Sequence, residues 1–274
     1  MQIEQIIGGV NGDTTAQAIQ LRMRSSGQNI VSGSRIEVVD ASGSNAVLLE
    51  NMTTNVANSQ AGRRILLATP SFAAYTNIPL VSDFVMDPIP LSYLAAGQVR
   101  YRHDVGFDIY WSVSWGGSNF TGSTTGATAN DADGNFGPAV NIAIPSGSLQ
   151  ALQFTGTANA ASTTNLAQYS LTAGAATFIN NANTSFTLVA PEPDTGDFDD
   201  DGDVDGQDFL VWQRGGSPRP SSSADLALWK DQFGAIGSAT SSVAAPEPAA
   251  GSLMIASLAY LCVVIRQPSA FPVR

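Results

Sequence analysis

The sequence predicts a mainly β protein: an N-terminal β-sandwich or jelly roll, then a small helical module, then a single C-terminal transmembrane helix. Three observations predict this. Residues 1–189 carry short runs such as "QIEQIIG", "SRIEVVD", "RRILLA" and "FDIYWSVSW", separated by turn clusters such as "GVNGD" and "DASGSN". Residues 197–234 change to an acidic loop followed by two short helical patterns. Residues 249–265, "AAGSLMIASLAYLCVVI", are almost wholly apolar.

In the first part, alternation of apolar and polar residues marks strands. No stretch of about twelve residues keeps a 3.6-residue period, so helices are not expected there. About ten such runs in a segment of this length suit two packed sheets, with enough chain for a core. "APEP" opens a linker at residues 190–196, and residues 235–245 form a second linker of small residues.

Charge and composition exclude some functions. The net charge of −11 argues against nucleic acid as a partner, which needs a basic face. The acidity is local: residues 192–208 hold nine acids and no base, whereas residues 1–190 hold eleven acids and seven arginines. One cysteine, Cys262, cannot form an internal disulfide. The single histidine, His103, has neither a second histidine nor a nucleophile elbow to complete a triad, so no catalytic residues are assigned and the protein is not expected to be an enzyme.

Within "FDIYWSVSWGG", alternation puts Ile109, Trp111, Val113 and Trp115 on one face and Tyr110, Ser112 and Ser114 on the other. Those two indoles suit a core; exposed, they would instead form a stacking face for a glycan. "NDADGNFG" (130–137) suits an Asx-rich turn, or a second cation site through Asp131, Asp133 and Asn135.

The acidic loop is the most specific signal. Counted from Asp197 as position 1, Asp199, Asp201, Asp203, Asp205 and Asp208 occupy positions 3, 5, 7, 9 and 12, with Gly202 at 6 and Val204 at 8. A twelve-residue calcium loop needs oxygen ligands at 1, 3, 5 and 12, a backbone carbonyl at 7, an often water-bridged ligand at 9, and glycine at the sharp turn. The spacing therefore predicts one Ca²⁺ held by Asp197, Asp199, Asp201, the Asp203 carbonyl, Asp205 and Asp208. "DFLVW" (208–212) and "DLALW" (225–229) then repeat, each opening a helix, with Gly215 and Gly234 placed as C-terminal glycines.

"GDFDDDGDVDGQDFLVWQRG" followed by "ADLALWKDQFG" resembles a dockerin type I domain over residues 196–234. The resemblance implies a pair of loop–helix repeats folded by calcium and a cohesin-like partner. Arg214, Gly216 and Pro218 stand where the second loop needs ligands, so one calcium is expected rather than two. Gly206, Gln207, Ser223 and Ala224 replace the Ser-Thr pairs at the recognition positions.

Pro246-Glu247-Pro248, the apolar run and Arg266 resemble a PEP-CTERM sorting signal over residues 246–274. This implies an exported protein, tethered to the membrane through residues 249–265 and handled by an exosortase-type processing enzyme. Seventeen helical residues would span about 25 Å, slightly short of a hydrocarbon core of about 30 Å. "MQIEQIIGGVNG" reads as a first strand and not as a signal peptide, so an upstream extension encoding one is expected. The combined expectation is a non-catalytic cell-surface or extracellular-matrix protein. The alternative is a glycan-binding module accessory to polysaccharide degradation.

Overall fold

The computed structural model describes residues 1–106, 108–125, 136–190, 195–217 and 223–235. The chain divides into two compact units, Met1–Glu192 and Pro193–Arg274.

The first unit is β-rich. Its strands are β1 Gln2–Ile7, β2 Ala18–Arg22, β3 Ser34–Val39, β4 Val47–Met52, β5 Arg64–Ala68, β6 Phe84–Val85, β7 Gly97–His103, β8 Ile109–Trp115, β9 Leu152–Phe154, β10 Tyr169–Leu171, β11 Thr177–Ile179 and β12 Ser185–Thr187. One sheet runs β10-β9-β1-β2-β5-β6, a second runs β4-β3-β7-β8, and β11 and β12 form a hairpin. Pairing is antiparallel except between β5 and β6. The main core lies between the first two sheets. Ile3, Ile6, Ile19, Leu21, Ile65 and Leu67 come from one side, and Ile36, Val38, Val99, Trp111, Val113 and Trp115 from the other. This is a sandwich-like arrangement, as the alternating pattern predicts.

β1 shows how the sequence meets that core. Ile3 and Ile6 are three apart, so a regular strand would point them to opposite faces. Ile3 pairs with Leu21 and Gln5 with Gln20, leaving Glu4 as an extra residue in a β-bulge. The bulge returns Ile6 to the inter-sheet core and turns Ile7 to the other face. There Ile7, Ala18, Leu66 and Ala68 are covered by Phe72, Phe178 and Phe186. The six-stranded sheet is thus packed on both faces at one end, which is why β1 is buried along its whole length.

Trp111 and Trp115 are both 0% exposed. Trp111 packs edge-on against Phe154 at 5.3 Å between ring centroids, and its Nε1 donates to the Tyr169 hydroxyl at 2.8 Å. Trp115 Nε1 donates to the Tyr93 carbonyl at 2.9 Å. Both indoles are core residues, so they do not form the exposed stacking face considered for a glycan. Tyr110 also departs from simple alternation: Tyr101 pairs with Trp111 and Arg102 with Ile109, so Tyr110 sits in a bulge, its ring tilted 54° to that of Tyr101 at 5.3 Å.

The outer face of the four-stranded sheet is organised by one carboxylate. Glu37, 5% exposed, lies 3.0 Å from Arg102 Nη1 and 3.7 Å from both Arg35 and Arg100. Removing it leaves the largely buried Arg100 and Arg102 facing each other without a counter-charge, while Arg35 keeps Asp104 at 3.7 Å. Glu37→Gln is expected to lower stability by about 3 kcal/mol, the order found on breaking buried ion pairs. Urea denaturation checks this, and a loss below about 1 kcal/mol would place the cluster in the class of weak surface pairs.

Among the described residues, no helix is long and apolar enough to cross a membrane. The segment 249–265, Pro246, Glu247, Pro248 and Arg266 lie outside the described residues, as do Asp131, Asp133 and Asn135.

Candidate metal centre

The second unit contains α-helices over Gly206–Gln213 and Ser223–Gln232; with Asn165–Gln168 of the first unit as α1, these are α2 and α3. The acidic loop precedes α2. Asp205 is the N-cap, and its side chain accepts the Gln207 N–H at 2.6 Å. Asp208 completes a reciprocal capping box by accepting the Asp205 N–H at 2.8 Å. The other oxygen of Asp208 accepts the N–H groups of Phe198 and Asp199, the latter at 3.2 Å. One fully buried carboxylate therefore starts the helix and folds the loop back on it.

Asp197 closes the opposite end by accepting the N–H groups of Asp201 at 3.2 Å and Gly202 at 3.0 Å. Gly202 has φ +96, a left-handed conformation that a residue with a Cβ adopts only under strain. The glycine expected at position 6 is thus required by the turn.

Two sets of carboxylates converge, each with ligand atoms within 4.8 Å of one another: Asp197, Asp199 and Asp208, and Asp203, Asp205 and Asp208. Asp208 belongs to both. Asp201, expected as a ligand, falls in neither set, and its Oδ1 accepts the Asp203 N–H at 3.2 Å. Asp203 was expected to contribute only its carbonyl. Its side chain instead joins a set, and Oδ1 is buried with no hydrogen-bond partner. Carboxylates converging on the buried Asp208 without a base repel one another unless protons or a cation balance them.

The side-chain titrations express that imbalance. Partial desolvation, and then repulsion from Asp201 and other loop aspartates, holds the Asp199 and Asp203 carboxyls above the usual carboxylate range. A raised value means the folded, metal-free loop holds these protons more tightly than the unfolded chain does. The associated stability is present at pH below the ordinary carboxylate value of about 4 and is lost as pH rises through the raised values. Without metal, the module is therefore expected to melt higher in mild acid than at neutral pH. Calcium should reverse the order, because it competes with protons for the same oxygens. Tryptophan-fluorescence melts across pH, in chelator and in calcium, measure both trends.

Apolar contacts close the module. Val204, 4% exposed, donates its N–H to the Ala235 carbonyl at 2.9 Å and accepts from Gly234 at 2.8 Å. Trp229 Nε1 donates to the Asp205 carbonyl at 2.6 Å. The helices meet through Phe209, whose ring lies 5.0 Å from Trp229 and 5.5 Å from Trp212. Gly196 passes so close to α3 that a Cβ there would stand 2.9 Å from the Trp229 Cα. Gly215 and Gly234 end their helices at φ 74 and 84, as expected. Of the second repeat's loop, residues 218–222 lie outside the described residues. Among the described residues, both carboxylate sets lie in the first loop.

In the first unit, His103 is exposed at the end of β7 and its Nδ1 accepts the Val105 N–H at 3.0 Å. Fold and site together define a class: a β-sandwich-like unit joined to a small helical unit whose acidic loop can hold a metal ion. No family model, curated protein or solved structure matches the chain.

Proposed function

We propose that residues 197–234 form a dockerin-like module that binds one Ca²⁺, within an exported, non-catalytic cell-surface or extracellular-matrix protein. The observation that carries the reading is that Asp197 and Asp199, and separately Asp203 and Asp205, each converge with Asp208 in a loop whose turn and cap are already fixed. An all-oxygen, multiply anionic donor set suits a hard cation, and a flexible loop of carboxylates and carbonyls suits calcium better than the smaller, rigidly octahedral magnesium. When bound, the ion neutralises the carboxylates and lets the loop close without repulsion. The residues themselves set the turn at Gly202, cap α2 and anchor Val204 beneath the loop.

The remaining parts of the reading rest on sequence. Residues 246–274 supply a sorting signal, a membrane tether and a substrate for an exosortase-type enzyme. The module's partner would be a cohesin-like domain. Extracellular calcium, at roughly millimolar concentration, fills even weak sites of this type. The alternative, a glycan-binding module, loses Trp111 and Trp115 as its contact residues and must use another surface.

The metal reading is tested with terbium, a luminescent calcium substitute. Trp212 and Trp229 belong to the helices that pack behind the loop and can sensitise it. Bound terbium should luminesce on indole excitation and be displaced by calcium but not by equal magnesium. Failure of calcium to displace it would refute the assignment. Fractionation of the native host tests the export reading: the chain is expected in envelope or extracellular fractions. A soluble cytoplasmic pool retaining residues 249–274 would refute it.

A further inference from the structure

The six-stranded sheet is covered by the β11–β12 hairpin only at the Ile7–Phe178 end. At its other end the same face turns polar, and a cleft of about 400 Å³ opens between the sheet and the segment 172–179. That volume lies in the range of small-molecule sites, about 300–1,000 Å³. Its floor is built from Glu4, Gln5, Gln20, Arg64 and Gln153.

The floor is held rigidly. Arg64 grips Glu4 through Nε and Nη2 at 2.9 and 3.2 Å, and Gln20 Nε2 donates to the same carboxylate at 2.8 Å. Arg22 approaches Glu4 at 3.5 Å. Two guanidinium groups thus share one carboxylate, leaving one positive charge in excess. Among the described residues, Arg64 Nη1 has no protein partner. Gln5, 6% exposed, donates from Nε2 to the Thr177 carbonyl, while its Oε1 is buried and accepts nothing. A buried amide oxygen without a partner calls for a donor that the protein does not supply. The Gln153 amide, on the same floor, also has no protein partner among the described residues.

We propose that this cleft binds a hydroxyl-rich carboxylate, namely a uronic acid residue of an acidic polysaccharide. The unpartnered Gln5 Oε1 and the Gln153 amide match sugar hydroxyls, which both donate and accept. The surplus guanidinium charge matches a carboxylate, and Arg64 lines the cleft. The segment 173–176, Ala-Gly-Ala-Ala, leaves room for a sugar ring at the rim. The site lies in the first unit and is independent of the calcium reading, so either can fail alone.

Gly174 gives a clean test. A Cβ there meets no atom within 4 Å, and its backbone is not left-handed, so Gly174→Trp places an indole at the rim of the cleft without strain. Full-length protein in calcium is titrated with glucuronate, digalacturonate and glucose, followed by NMR shifts. The expected result is saturable binding of both uronates, with shifts confined to residues near 4–5, 20, 64, 153 and 172–179. Gly174→Trp and Gln153→Ala should each weaken glucuronate at least about tenfold, the scale of one lost charge-assisted or buried hydrogen bond, with unchanged melting temperature. Glucose should bind at least about tenfold more weakly than glucuronate for the same reason. No saturable uronate binding, equal binding by Gly174→Trp, or glucose bound as tightly would overturn the proposal.

Discussion

Asp208→Ala is expected to abolish calcium binding and to unfold the module it belongs to. The Asp208 carboxylate is fully buried, belongs to both converging sets, and accepts the N–H groups of Phe198, Asp199 and Asp205. Its removal leaves the half-buried donors of Phe198 and Asp205 without partners, at about 1 kcal/mol or more each, and removes the capping box, worth about another 1 kcal/mol. A module of this size has little core to absorb such a loss. Val204, Phe209 and Trp229 are most of what it offers. Asp208→Asn separates the two roles. It keeps one side-chain acceptor for the backbone, so some helix should survive in circular dichroism, while calcium affinity still falls by at least tenfold, about one charged ligand's worth. Retained micromolar-level affinity in Asp208→Ala would show that the ion sits elsewhere.

The second large effect is at Trp111. Trp111→Ala should destabilise the β unit by about 4 kcal/mol, the scale for deleting a buried aromatic side chain. The cavity would open between Phe136 and Phe154. It would also strip the Tyr169 hydroxyl of its donor. Tyr169 relays that bond to the Ile3 carbonyl, and burial pushes its phenol well above the ordinary range. The relay ties β8, β10 and β1 together, so the loss should be cooperative and appear as a lower urea midpoint with unchanged slope. The same variant distinguishes core from recognition. A stacking tryptophan, once removed, would weaken glycan binding and leave stability untouched; Trp111 should do the opposite.

How much of this was readable in the sequence depends on how local each feature is. The acidic loop was readable because its ligands, its turn glycine and its cap lie within twelve residues and obey a fixed spacing. That the Asp203 side chain joins a carboxylate set and the Asp201 side chain does not was not readable, because spacing assigns positions and only the folded loop decides which side chains turn inward. The strands were readable from alternation, and the shared face of Trp111, Val113 and Trp115 followed from it. Which face was covered did not follow, since that depends on sheets formed by distant residues such as Ile3 and Ile65. β1 was misleading in a different way. "QIEQII" alternates poorly because a bulge at Glu4 resets the register and because Phe178 and Phe186, far along the chain, cover the other face. The polar cleft had no sequence signal at all. Its floor joins Glu4, Gln20, Arg64 and Gln153, whose nearness is a product of the β9-β1-β2-β5 strand order.

Isothermal calorimetry of calcium into the full-length, metal-stripped chain tests the central claim most directly. One saturable site per chain is predicted, with proton release as pH is lowered toward the raised carboxylates and a gain in helical signal on saturation. Two equal sites, or no binding at millimolar calcium, would contradict the account.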